Sequence, residues 1–491
     1  MKKRLVAAGL VMSVSLTAAI KTVALPGKSP LVTFRIVFLT GAASEAPDKA
    51  GVAALTAAML AGGGTRQMSY KQVVDAMFPM ATSVEAETDK EMISFSAVTH
   101  VDNLEAFYKL FHDMLLDPGW RQDDFTRLRD DSVNFLRVGL RGNNDEELGK
   151  EVLYNEIYAG HPYGRHNLGT VSSLQQLTVA DVQHFYHTRF TQQSLTIGIA
   201  GGYPEQFLER MKRDFEKLPK GEGGVAKLPE PQVVSGMKMV MVEKDTRSVA
   251  FSMGFPIDVT RGHPDYTALL LAQSYFGQHR MSGGRLYTRL RELRGLNYGD
   301  YAYIEYFPRG MFLFEPEPNL ARRQQIFQIW IRPVEPATAH FALRLTLFEF
   351  DKLVREGLSR EDFERTRSFL SKQVNLLIKT KGAELGYAID SRFYNISDYP
   401  SYIKNGLAKL TVEDVNRAIR KHLGRGSLTL VVVAKNSQEL KKKILAGEPS
   451  PMTYNSPKPG EVLEEDKIVE RWKVELRPES IQVVPLETVF E

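Results

Sequence analysis

The sequence predicts an α+β fold of two homologous lobes, each with a mainly antiparallel sheet covered by helices. Three observations predict it: an internal repeat, a Gly/Pro-rich join between the copies, and strands that alternate with runs of consecutive long helices. In the first copy, Leu177-Thr178-Val179-Ala180-Asp181-Val182 precedes a helical run and the strand-like Ser194–Ala200. In the second, Leu410-Thr411-Val412-Glu413-Asp414-Val415 precedes another helical run and Ser427–Ala434, 233 residues later than the first. Each threonine is placed to cap the helix that follows it.

Two further pairs recur in the same order. Arg121-Gln122-Asp123-Asp124-Phe125 matches Arg360-Glu361-Asp362-Phe363, and both open long helical stretches. The strand Leu31–Leu39 matches Ser248–Phe255, each followed by a polar turn and a small-residue or apolar helix. Three matches in register argue for duplication. The join is Leu218-Pro219-Lys220-Gly221 through Leu228-Pro229-Glu230-Pro231. The expected organisation is therefore a leader (1–19), an N-terminal domain (20–218), a linker (219–236), a C-terminal domain (237–448) and an extension (449–491). Within the extension, Ile481–Pro485 either adds an edge strand or lies along the surface.

Composition removes several classes of function. The 491 residues are 43% hydrophobic and 25% charged, which supplies a sizeable core. With no cysteine, disulfides, thiolate catalysis and zinc–thiolate or iron–sulfur sites are excluded. The net charge is only +4, without a basic block, so no nucleic-acid partner is expected. At the start, Lys2, Lys3 and Arg4 precede the apolar stretch Leu5–Leu16 and the small residues Thr17-Ala18-Ala19. That is the layout of a signal peptide cleaved after Ala19. The stretch is shorter than the roughly 17–25 residues that span a bilayer. Export is expected, to the periplasm if the cell has an outer membrane, with no stable membrane span after cleavage.

Gly51-Val52-Ala53-Ala54-Leu55-Thr56-Ala57-Ala58-Met59-Leu60, followed by Gly62-Gly63-Gly64-Thr65, resembles the pitrilysin/insulinase family of metallopeptidases. The resemblance covers nearly the whole chain after the leader and implies an insulinase/mitochondrial-processing-peptidase-like fold. In the family this helix carries His-x-x-Glu-His, with two histidines stacked on one face to hold zinc and a glutamate to activate water. Here Ala54, Ala57 and Ala58 occupy the two ligand positions and the base position. The third ligand, a glutamate in the helix after Phe125, falls at the level of Asn134 and Phe135, while Asp130 and Asp131 come about a turn too early. No metal or cofactor is expected in this chain, and no catalytic residue is assigned in the degenerate motif. His184 and His187, three apart on a helix, read as surface or half-buried residues rather than ligands. His161-Pro162-Tyr163-Gly164-Arg165-His166 resembles a structural loop of the family, with Tyr163 packing and Gly164 and Gly169 permitting turns.

The second lobe retains another family element, Gly284-Arg285-Leu286-Tyr287 through Arg291-Glu292-Leu293-Arg294-Gly295-Leu296-Asn297-Tyr298. The resemblance implies that Arg291 and Tyr298 bind substrate. A guanidinium grips a peptide carbonyl or carboxylate, and a tyrosine hydroxyl donates to a developing oxyanion. The bland alternative is a helix end capped by Gly295. Some bacterial members of the family are two-chain enzymes. The resemblance therefore implies a homologous partner that bears His-x-x-Glu-His and the zinc, with peptides or unfolded protein as substrate. This chain is then expected to be inactive alone and part of a zinc metalloendopeptidase complex. The rival expectations are a noncatalytic structural or peptide-binding protein of the same fold and a hydrolase using other residues. For the last, no Gly-x-Ser-x-Gly elbow is present.

Overall fold

The computed structural model describes residues 20–221 and 228–491. The expected leader and the middle of the expected linker (222–227) lie outside the described residues. The first sheet contains β1 (Lys21–Pro26), β2 (Leu31–Phe38), β3 (Glu85–Thr88), β4 (Ile93–His100) and β5 (Leu195–Gly201), in the order β1-β5-β2-β4-β3. The second contains β6 (Lys238–Glu243), β7 (Val249–Ile257), β8 (Asp300–Tyr303), β9 (Gln325–Val334), β10 (Thr429–Ala434) and β11 (Ile481–Pro485), in the order β11-β6-β10-β7-β9-β8.

Without β11 the two orders are the same. Each sheet has one parallel pair between its first and last repeated strands, β1 with β5 and β6 with β10. The remaining repeated neighbours are antiparallel. This matching topology is the duplication seen in three dimensions. The open alternative for the tail resolves to the edge strand, because β11 adds in parallel beside β6.

Local chemistry agrees with the repeat. Thr178 and Thr411 each accept a hydrogen bond from the backbone three residues on, and Asp181 and Asp414 return it, giving two capping boxes at equivalent helix starts. Phe34 on β2 packs against Phe107 and Phe111 at 5.5 and 5.6 Å between ring centroids. In the second lobe, Phe327 on β9 packs against Phe350 of the helix Ala339–Glu356 at 5.4 Å.

The opposite face of each sheet is covered by a helix from the other half of the chain. Asp145–Ile157 lies on β7 and β10, and Lys381–Phe393 lies on β1, β2 and β5. Every residue of β5 and of β10 is consequently buried, which accounts for their largely apolar sequence. The approach is close. A Cβ at Gly198 would stand 2.8 Å from the Arg35 carbonyl oxygen and 3.1 Å from Ile389 Cδ1. Among the described residues no helix is long and apolar enough to cross a membrane.

Charged residues also cross the seam. Arg322, between β8 and β9, pairs with the fully buried Asp89 through Nε at 2.6 Å and through Nη2, and its guanidinium lies 3.6 Å from the Tyr306 ring centroid. Arg323 pairs with Glu91 at 2.7 Å. Replacing Arg322 by Met leaves the Asp89 carboxylate buried without its partner. The urea midpoint is expected to fall by the equivalent of about 3–5 kcal/mol, and an unchanged midpoint would show that the pair does not hold the seam.

Candidate functional site

The helix Val52–Gly62 begins at Gly51, whose φ of 93° and approach to Leu168 leave no room for a side chain: a Cβ there would lie 2.4 Å from the Leu168 carbonyl oxygen. Its first turn is capped from a distance. Glu45 Oε1 accepts from the backbone N–H of Gly51 at 3.1 Å and of Ala53 at 2.9 Å. Burial pushes this carboxyl up to about 7, against the two backbone hydrogen bonds and the nearby Arg165 and Lys90, which favour the charged form.

Ala54, Ala57 and Ala58 form one wall of a cavity of about 390 Å³. Ala57 is buried and the other two are half-buried. The facing wall carries Glu147 and Glu151 from the crossing helix Asp145–Ile157, with His166 beside them. Ala86, Glu87 and Thr88 of β3 form another side, and Arg309 and Phe312 close it from the β8–β9 connection. Both halves of the chain therefore build this cavity.

The residues present do not fit a zinc ion. Alanine has no lone pair to donate. At the third expected position, Asn134 ends the helix Gln122–Asn134, and the next residue, Phe135, opens a π-helical turn that runs to Leu140. Phe135 lines the cavity and is 48% exposed. The carboxylates that line the cavity each have a partner of their own. Glu147 pairs with buried Lys150 at 2.7 Å, Glu87 with Arg309 at 3.1 Å, and Glu151 accepts from the Tyr306 hydroxyl at 3.3 Å. Burial, aided by Lys90, pushes His166 down to about 3, so it is neutral, with Nε2 3.7 Å from Glu151. Burial pushes Glu151 up from the ordinary carboxylate range.

The other sequence-predicted positions are also located. Tyr163 is buried and donates to Glu91, and Gly169 has a φ of 79°. His161 accepts from Tyr163 N through Nδ1 at 3.0 Å. His184 and His187 are exposed. Arg291 lies on the π-helical segment Tyr287–Glu292, and Gly295, with a φ of 68°, ends that run. Arg291 Nη1 donates to the Tyr298 carbonyl at 3.2 Å and to the Tyr287 hydroxyl, and its guanidinium lies 4.7 Å from the Tyr287 ring centroid. Tyr298 is 74% exposed, and β8 starts two residues beyond it. The structure thus brings Arg291 and Tyr298 together, at a surface apart from the residues that line the alanine cavity.

Against known families, residues 22–171 match the model described as Insulinase (Peptidase family M16), and residues 176–370 match the Peptidase M16 inactive domain. The chain belongs to the insulinase family. An uncharacterized zinc protease of Mycobacterium tuberculosis is 25% identical over 246 residues, which is 50% of this chain and 55% of that protein. The chain thus matches about half the length of this relative. The Helicobacter pylori non-peptidase homolog YmxG is 19% identical over 418 residues, covering 84% of this chain and 90% of its own length. Among solved structures, a peptidase M16 inactive domain from Pseudomonas fluorescens superposes with a TM-score of 0.74 at 21% identity, over 85% of this chain and 96% of that one. The periplasmic protease PqqL from Escherichia coli gives 0.66 at 14% identity, over 93% of this chain and 50% of that one. These likenesses establish the two-lobed insulinase fold, and the helix that gives the family its metal carries alanines here.

Glu45 makes the stability of that helix depend on pH. The folded state holds the Glu45 proton up to about pH 7, whereas the unfolded carboxyl loses it near its ordinary value of 4.5. The folded state therefore binds more protons across this window, and its contribution to stability is lost as pH rises through it. Glu45→Gln keeps the cap without the charge. It is expected to flatten the decline, by on the order of 3 kcal/mol between pH 4.5 and 7, in denaturation curves taken across that range; an identical slope in both proteins would contradict the assignment.

Proposed function

We propose that this chain is the non-zinc-binding subunit of a heteromeric insulinase-type peptidase. In this reading it contributes substrate binding and transition-state support to a homologous partner that carries His-x-x-Glu-His and the zinc. The single observation that carries the reading is the combination in one intact fold of an alanine wall at the metal helix with Arg291 held beside the exposed Tyr298. A decayed enzyme has no reason to keep the second after losing the first. The Tyr298 hydroxyl is the group offered to a developing oxyanion, and Arg291 organises the turn that presents it.

The substrate in this reading is an extended peptide. β3 is the outer strand of its sheet and also lines the cavity, so a peptide added along its free edge runs past the alanine helix. The domain division into 20–218 and 237–448 and the export of the chain belong to the same proposal. Similarity to the periplasmic protease PqqL supports the periplasm as its place. A second reading, a noncatalytic peptide-binding protein, draws on the contacts of Arg291 with Tyr287 and the Tyr298 carbonyl, which a plain helix end also uses.

The test is kinetic. In an assembled pair with a His-x-x-Glu-His homologue, Tyr298→Phe is expected to lower kcat by about 10²-fold, and Arg291→Ala to lower kcat/KM, with assembly by size-exclusion chromatography unaltered. Wild-type cleavage by both variants would assign these residues to the helix end alone.

A further inference from the structure

We propose that His263, Asp265 and His422 form a binding site in the second lobe for a zinc-like divalent ion, separate from the alanine helix and independent of the peptidase reading. Among the described residues, the ligand atoms of these two histidines and one aspartate all lie within 4.8 Å of one another. Two imidazoles and one carboxylate are a donor set suited to zinc and its neighbours, with water completing the coordination.

Two elements deliver the ligands. His263 and Asp265 sit in the tight turn before the helix Tyr266–Gly277, where His263 N donates to the Thr260 carbonyl at 2.8 Å and Tyr266 N to the His263 carbonyl at 3.0 Å. His422 is the last residue of the helix Val412–His422. Its Nε2 lies 2.7 Å from Asp265 Oδ2, and its ring stands perpendicular to that of His263 with centroids 5.6 Å apart. In a tetrahedral site with metal–ligand bonds of about 2.0–2.1 Å, neighbouring ligand atoms are about 3.4 Å apart. An ion entering here replaces the proton between His422 and Asp265 and spreads that pair slightly, while drawing His263 inward. His263 gives up the hydrogen bond that its Nδ1 accepts from Asp265 N at 3.0 Å.

All three side chains are half-buried, so they are held in place yet reachable from solvent. At rest the carboxylate is served by a cation of the chain itself: the Lys421 ammonium lies 2.8 Å from Asp265 Oδ2. Lys421 is exposed and shares the Asp265 carboxylate, so it acts as a competitor for the ion. Occupied, the site would clip the turn before one helix to the end of another.

The experiment uses the full chain, purified without a histidine tag and stripped with chelator, and titrates it with zinc chloride in a calorimeter. One equivalent is expected to bind with micromolar affinity and to raise the melting temperature. His263→Ala and His422→Ala are each expected to weaken binding about tenfold or more, with His422→Gln as the alternative if the alanine variant fails to fold. Lys421→Gln, which removes the competing ammonium, is expected to tighten binding several-fold. Absence of saturable one-equivalent binding, or equal affinity in the histidine variants, overturns the site.

Discussion

The reciprocal crossing of two helices is the constraint on which this structure rests. Asp145–Ile157 leaves its own half to cover β7 and β10, and Lys381–Phe393 returns to cover β1, β2 and β5. Each sheet thereby obtains a second covered face, and the apolar runs of β5 and β10 become core on both sides. Neither half presents this arrangement alone. Ile326, Val431 and Val433 of the second half join the same buried cluster as Phe34 and Phe95 of the first. The Asp89–Arg322 pair then fixes the seam within a shell of aromatic rings, where an unpartnered charge would be costly.

The candidate site follows from that crossing. Glu147 and Glu151 reach the alanine cavity because their helix bridges the halves, and Arg309 and Phe312 reach it from the second half. With no metal ligands on the facing helix, the remaining acids are balanced locally. Lys150, almost fully buried, sits 2.7 Å from Glu147 and 4.4 Å from the Trp330 ring centroid. The cavity wall has therefore lost its metal-binding chemistry without leaving a field of unpaired carboxylates behind.

The features legible in the sequence were those encoded locally. Thr178 and Thr411 with their aspartates announced two helix starts, and the apolar strands announced themselves by composition. The alanines on one helical face followed from spacing, whereas Arg291 and Tyr298 were singled out by the family resemblance, and their closeness came from the structure. The crossing itself was not legible, because its close contacts depend on small residues such as Gly198, which carry no directional signal. The distant Glu45 cap on Gly51 and Ala53 lacks the usual adjacent capping residue. The π-helical turn at Phe135–Leu140 inserts a residue without a composition mark, and the His263–Asp265–His422 trio joins segments far apart along the chain.

The central claim is the proposal that this chain lacks the family's catalytic zinc and plays a supporting role to a partner that carries it. The most direct measurement is the rate of peptide cleavage by the chain alone, by a His-x-x-Glu-His homologue from the same cell alone, and by the two mixed in equal amounts with zinc present. The account predicts no turnover by this chain, and turnover by the mixture well above that of the homologue alone. Zinc-dependent cleavage by this chain alone, or a mixture no faster than the homologue, would contradict it.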